Sequence, residues 1–368
     1  MTALRSFIKR EPVLTISVLA AAVSCFFVPP DAGYIEYIDF RTLALLYSLM
    51  VVVAGLRGAG VFTAMANTLC ARAKGVRSIG IILVCLSFFS SMLITNDVAL
   101  LTFVPFSVVV LGMAGRRQDM IRIIVLQTAA ANLGSMLTPV GNPQNLYLYS
   151  FYNIPFSEFL LTTLPVWGLS LLLLVCCCFL LPKAETGEIT GEKTELNYRS
   201  LAVNLLLFAV CLLTVMRILS WPVMLAAVVV VLLVFDRKLL IKADFMLLLT
   251  FVAFFVFAGN LARIEAVDVL LKRILSGREY LTALLSSQVI SNVPAALLLS
   301  SFTDNSKALL LGVNIGGLGT PIASLASLIS LKLYSQTEDA RTGKFLLEFT
   351  VVNVILLIVL SVFRALVM

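Results

Sequence analysis

The sequence predicts an all-α polytopic membrane protein built from two inverted repeats, each with a re-entrant helical hairpin and a broken transmembrane helix. Three observations predict this class. The 368-residue chain is 60% hydrophobic and only 13% charged, whereas a soluble domain carries roughly 25% charged residues. Apolar runs recur along its whole length, and about 20 such residues cross a hydrocarbon core. The two halves also share three motifs in the same order.

The mean hydropathy of +1.04 leaves too little charge to cover a water-facing surface, so the lipid bilayer is the expected solvent. The net charge of +7 does not point to nucleic acid. The basic residues sit in short loops between apolar runs, where they set topology. Residues 12–28 read as a retained first span, because Phe26, Phe27 and Pro29-Pro30 fit a cleavage site poorly. Histidine is absent. Cys176, Cys177 and Cys178 are adjacent on one helix and point in different directions, so they cannot converge on a metal. No nucleotide-binding loop and no paired catalytic arrangement occurs. Neither an enzyme nor a resident cofactor is expected.

In chain order, repeat 1 covers 1–181. It comprises scaffold spans within 12–56, an interfacial helix at 59–74, a hairpin at 78–113, a broken helix at 119–152 and a span at 156–181. Residues 182–199 form the one long polar stretch, expected to be a cytoplasmic linker. Repeat 2 covers 200–368. It comprises spans within 200–258, an interfacial helix at 259–276, a hairpin at 279–302, a broken helix at 305–335 and a span at 343–366. The second hairpin is suggested by two short apolar runs separated only by Ser291-Asn292-Val293-Pro294. Irregular backbone at membrane depth is tolerated where protein or a wet cavity satisfies it.

The duplication rests on matched segments. Ser90-Ser91-Met92-Leu93-Ile94-Thr95-Asn96 matches Ser286-Ser287-Gln288-Val289-Ile290-Ser291-Asn292, an offset of 196 from Asn96 to Asn292. Asn132-Leu133-Gly134 with Thr138-Pro139 matches Asn314-Ile315-Gly316 with Thr320-Pro321, an offset of 182. Asp39-Phe40 and Asp244-Phe245 precede matched spans, and both aspartates are expected to cap helices. With the N-terminus in the cytoplasm, most of the 27 Lys and Arg residues fall inside. Arg41, Arg217, Arg263, Lys272, Arg273, Arg278, Lys307 and Arg364 fall outside, and so does the C-terminus. The second copy then starts from the other face, which makes the repeats inverted.

The polar tips, Thr95-Asn96-Asp97 and Ser291-Asn292-Val293-Pro294, are the candidate chemistry. Each precedes a break, one over Thr138 to Asn145 and the other over Gly316 to Ser324. Proline removes a donor and glycine lets the chain unwind. Unwound carbonyls and half-helix ends suit a cation and an anion respectively. Asn96 and Asn292 either contact ligand or only close the tips. Asp97 is either a proton carrier or sodium ligand, or a helix N-terminal residue that steadies the second hairpin arm. Gln127 and Glu158 lie away from the breaks and are read as structural.

These motifs resemble the ion transporter superfamily, and within it the citrate-transporter-like group of divalent anion:sodium symporters, arsenite permeases and some sodium/proton antiporters. Ile94 to Leu100 and Thr138 to Asn145 are most similar to its short bacterial members. The resemblance implies one sodium site at Ser91, Thr95 and Asn96 with backbone near Gly141. A second falls at Ser287, Ile290 (backbone) and Asn292 with backbone near Gly319. It places substrate at Asn96, Asp97, Asn292 and Val293, with Asn142, Thr320 and Pro321 nearby. It further implies a homodimer in the cell (plasma or inner) membrane, working as an elevator-type carrier of a small anionic substrate, coupled to sodium or protons. The alternatives are arsenite-like efflux, sodium/proton exchange, or an ion channel. One departure stands out. The dicarboxylate pattern has Thr after each tip Asn, whereas Asp97 and Val293 occupy those places here. Two carboxylate-holding hydroxyls are missing, and an ionised Asp97 repels an anion unless it is protonated or bound to a cation.

Overall fold

A computed structural model describes residues 11–185 and 195–367. Arg5, Lys9 and Arg10, and the linker residues Glu188, Glu192 and Lys193, lie outside the described residues. The described chain forms 17 α-helices with short 3-10 turns, and its one β-bridge joins Gly75 to Glu185. Eight helices, some extended by a 3-10 turn, are long and apolar enough to cross a membrane.

The first half runs α1 (Pro12–Phe27), α2 (Phe40–Gly58), α3 (Val61–Cys70), α4 (Val76–Ile94), α5 (Asn96–Met113), α6 (Met120–Gly134), α7 (Pro143–Phe151) and α8 (Phe156–Phe179). The second runs α9 (Tyr198–Val215), α10 (Trp221–Phe235), α11 (Phe245–Arg263), α12 (Glu265–Leu275), α13 (Glu279–Ile290), α14 (Asn292–Leu299), α15 (Ser306–Ile315), α16 (Leu325–Ser335) and α17 (Thr342–Val367). Local chemistry sets the starts. Asp39 Oδ1 accepts from Thr42 N and Asp244 Oδ1 from Leu247 N, both at 2.9 Å, so matched aspartates cap matched helices. Asn197 and Asn305 cap α9 and α15 in the same way. Proline opens α1, α7 and α10, where its missing N–H costs nothing.

One boundary differs from expectation. The amphipathic helix of the second half begins at Glu265, not 259, because α11 continues through Gly259 to Arg263. Gly259 is a packing glycine here, since a Cβ would sit 2.5 Å from the Tyr37 ring. The two hairpins are unequal, as their expected bounds imply. The arms of the first have 19 and 18 residues, those of the second 12 and 8. At 1.5 Å per residue the first arms reach about 28 Å, close to a full hydrocarbon core.

The distribution of polarity is inverted relative to a water-soluble fold. Asn204, Gln127, Asn260 and Asn353 are fully buried, whereas Phe26 and Val234 are 85% and 87% exposed. Lipid, not water, suits that outer surface. Inside, two apolar clusters form. One joins α2, α9, α10 and α11 to α7 and α14. The other joins α4, α6, α8 and α17, with α6 at its centre; the span containing α6 is 94% buried. At one end α11 is tied to α1 and the turn after it. Asn260 Nδ2 donates to Ser24 Oγ at 2.9 Å and Tyr34 OH at 2.8 Å. Arg263 Nη2 lies 2.8 Å from Asp31 Oδ2 and Nη1 lies 3.0 Å from Tyr37 OH. The guanidinium holds the Asp31 carboxyl below its ordinary value.

Candidate functional site

Each hairpin turns on one residue with left-handed backbone. Thr95 has φ 68° and ψ 151°, and Ser291 has φ 73° and ψ 155°. Side-chain-bearing residues avoid this region, which is almost confined to glycine, so both tips hold strain at corresponding places. The next residue in each is a buried asparagine. Asn96 Nδ2 donates to Asn132 Oδ1 at 3.0 Å, and its Oδ1 accepts from Asp97 N at 2.9 Å. Asn292 Nδ2 lies against Gly317, where a Cβ would approach to 2.9 Å.

The breaks cross-link the halves. Asn132 in α6 accepts from Ser324 Oγ at 3.0 Å and donates to Ser327 Oγ at 3.4 Å. Asn314 in α15 accepts from Asn142 Nδ2 at 3.3 Å and donates to Asn145 Oδ1 at 2.7 Å. By the 182-residue offset, Ser324 and Ser327 are the counterparts of Asn142 and Asn145. Each half thus sends one asparagine into the break of the other. Hairpins are tied to breaks in matching fashion as well. Thr138 Oγ1 donates to Met92 O, and Thr320 Oγ1 donates to Gln288 O at 3.2 Å. Gly134 and Gly316 let the broken helices approach the hairpin serines. A Cβ on Gly134 would lie 2.7 Å from Ser91 Oγ, and one on Gly316 would lie 2.9 Å from Ser287 Oγ.

The match fails at Gln288. Gln288 Nε2 donates to Gly316 O at 2.7 Å and Leu318 O at 3.0 Å, and its Oε1 accepts from Thr320 N at 3.0 Å. Met92, its first-half counterpart, has no such capacity. In the first half, Asn145 Nδ2 instead reaches the carbonyls of Ser135, Met136 and Thr138, each at 3.3 Å.

Between the tips lies a cavity of about 10 Å³, close to the minimum for one water. Asn96, Asp97, Asn292 and Val293 line it, joined by Gln144, Ser324 and the apolar Pro143, Leu247 and Leu325. Four of the sequence-predicted substrate residues therefore meet. Asn142 is buried in the asparagine network, outside the cavity lining, and Thr320 and Pro321 stand at the second break beside Gln288. Of the predicted sodium ligands, Ser91 Oγ donates to Phe88 O at 2.9 Å and Ser287 Oγ to Ala283 O at 2.7 Å. Gly141 packs on Ser135 O, Gly319 (φ 94°) packs on Gln288 Oε1, and Ile290 packs against the apolar core. Gln127, read as structural, accepts from Ser107 Oγ at 2.7 Å and donates to Ser87 Oγ at 3.2 Å. Larger clefts of about 410 and 680 Å³ open elsewhere, lined by Arg117 with Glu338 and by Glu158 with Lys307. Neither touches a tip or a break, so chemistry and not volume selects the site. Sequence reasoning did not single out Gln144 and Gln288 individually. The signal for Gln288 was its alignment with Met92, a polar-for-apolar exchange inside an otherwise matched motif.

Polar hairpin tips closed on each other inside a lipid-facing helical bundle define a multi-pass membrane protein with a small polar cavity between the tips. The chain belongs to the citrate transporter family, whose model matches residues 3–308. It is 33% identical over 326 residues to the uncharacterized transporter MJ0456 of Methanocaldococcus jannaschii, covering 88% of each chain. It is 32% identical over 317 residues to the inner membrane protein YbiR of Escherichia coli, covering 84% of each. A shorter stretch of 154 residues is 35% identical to the silicon efflux transporter LSI3 of rice, covering 40% of this chain and 31% of that one. The chain is a membrane transporter of this family.

Proposed function

We propose that the protein is a secondary active carrier for a small anion, a carboxylate or inorganic oxyanion, coupled to sodium or protons. The carrying observation is the single cavity shared by Asn96, Asp97, Asn292 and Val293 from the two tips. Substrate sits between the asparagines, which offer both donors and acceptors. The halves act as inverted repeats, and the hairpins with α6–α7 and α15–α16 slide against a scaffold of α1, α2 and α9–α11. The unit is a homodimer in the cell (inner) membrane, with a cytoplasmic N-terminus and an outer C-terminus. The inner-membrane name of the Escherichia coli relative supports the location.

A second reading, efflux of a weakly acidic oxyacid, draws on Asp97 and Val293. Their side chains lack the two hydroxyls suited to a dicarboxylate, and the rice relative is named for silicon efflux. Proteoliposome flux measured with citrate, succinate, arsenite and silicic acid, under separately imposed sodium and proton gradients, tests both. Gradient-driven movement of at least one solute is expected. Gradient-independent currents far above carrier turnover would make the protein a channel and end the proposal.

A further inference from the structure

The geometry points to one binding site for a dehydrated alkali cation of sodium size, formed by Asp97 and Gln144 and present once per chain. Gln144 is 1% exposed, and its Oε1 has no hydrogen-bond partner among the described residues. Asp97 Oδ1 is likewise buried and unpartnered. Both side chains line the cavity between the tips. Buried oxygens are almost always paired, and a carboxylate without a counter-charge is the least tolerable case. No Lys or Arg among the described residues bonds Asp97. One hard monovalent cation held by the carboxylate and the amide oxygen satisfies both atoms and neutralises the charge.

The second half shows why the site is single. The counterparts of Asp97 and Gln144, at offsets of 196 and 182, are Val293 and Ala326. Both are buried and apolar, so both ligands are lost together. The unwound carbonyls of Gly316 and Leu318 on that side already receive the Gln288 amide. This site is distinct from the two implied by family resemblance, neither of which uses Gln144 or the Asp97 carboxylate. Only the first-half side of the central cavity therefore carries the carboxylate and the unpartnered amide oxygen.

The inference rests on the reading of the protein as a cation-coupled carrier. The test is thermal unfolding of the purified full chain in lipid nanodiscs, titrated with sodium, lithium or potassium chloride against choline chloride at fixed pH and ionic strength. Sodium is expected to stabilise the wild type along a single-site curve. Asp97→Asn and Gln144→Leu should each weaken the apparent sodium affinity by about tenfold or more. Gln144→Glu keeps an oxygen ligand should the leucine variant fold poorly, and is expected to retain the sodium response and add one to calcium. An unchanged sodium response in Gln144→Leu, or stabilisation of the wild type by pH but by no alkali cation, overturns the site. Gradient-driven flux of the same purified protein in proteoliposomes separates the two readings. Flux with a sodium response blind to Gln144 overturns the site alone. A Gln144-dependent sodium response without flux of any solute overturns the carrier and upholds the site.

Discussion

Thr95 and Ser291 pay for the sharp reversal of each hairpin with backbone conformations that cost about 1–3 kcal/mol apiece. Thr95→Gly should therefore raise the thermal stability of the purified protein by about 1 kcal/mol, after the entropy that glycine loses on folding. Thr95→Val keeps the strain and should not. The two asparagines beside these residues act on a shared cavity. Asn96→Ala and Asn292→Ala should each weaken solute binding by about 5- to 150-fold, the loss of one buried polar partner. Equilibrium binding to a solute found in the flux panel checks this, and a double variant with normal affinity would refute it. The asparagines were legible because they recur in the same motif in both halves. Gln144 was not, because an orphaned oxygen is a property of its neighbours in space and leaves no trace in local spacing.

At the level of elements, the broken helices are held by amides and not by water. Removing the Gln288 amide strands two carbonyls and one N–H at once. Gln288→Met, which installs the first-half residue, should cost about 1–3 kcal/mol of stability for each group left unpaired. Met92→Gln should cost little, because Thr138 and Asn145 already serve the first break. Unfolding in detergent ranks the two, and equal effects would argue against the asymmetry. The clamp between α11 and the turn after α1 has a pH signature. Arg263 lowers the Asp31 pKa, so its contribution is complete above the unfolded value of about 3.9 and is lost as pH falls through the folded one. The hydrogen-exchange protection of residues 28–38, corrected for the intrinsic rate at each pH, should be high at neutral pH and fall in acid as Asp31 is protonated. Arg263→Gln should remove that acid dependence. The starts of α2 and α11 were legible from Asp39 and Asp244. The end of α11 was not, since Gly259 looks like a stop signal until the Tyr37 ring is seen against it.

Across the whole molecule, the proposed inverted arrangement predicts sidedness. Single cysteines at 72–77 and 237–242 should react with an impermeant reagent from the cytoplasm, and those at 272–278 from outside. Labelling of 272–278 only from the cytoplasm would reverse the topology. The all-helical, multi-span class was legible from the apolar runs. The unequal hairpins were legible as well, since the expected bounds 78–113 and 279–302 already differ in length. The chemical difference between the tips carries over to electricity. Asp97 stands at the centre of the bundle, with Val293 opposite and no basic side chain bonded to it. An uncompensated elementary charge moved across a 100 mV membrane potential changes in energy by about 2.3 kcal/mol, or roughly fiftyfold in population. In the proposed elevator motion, an unloaded tip with Asp97 ionised would respond to voltage as well as to concentration, and a cell that is negative inside would draw it toward the outer face.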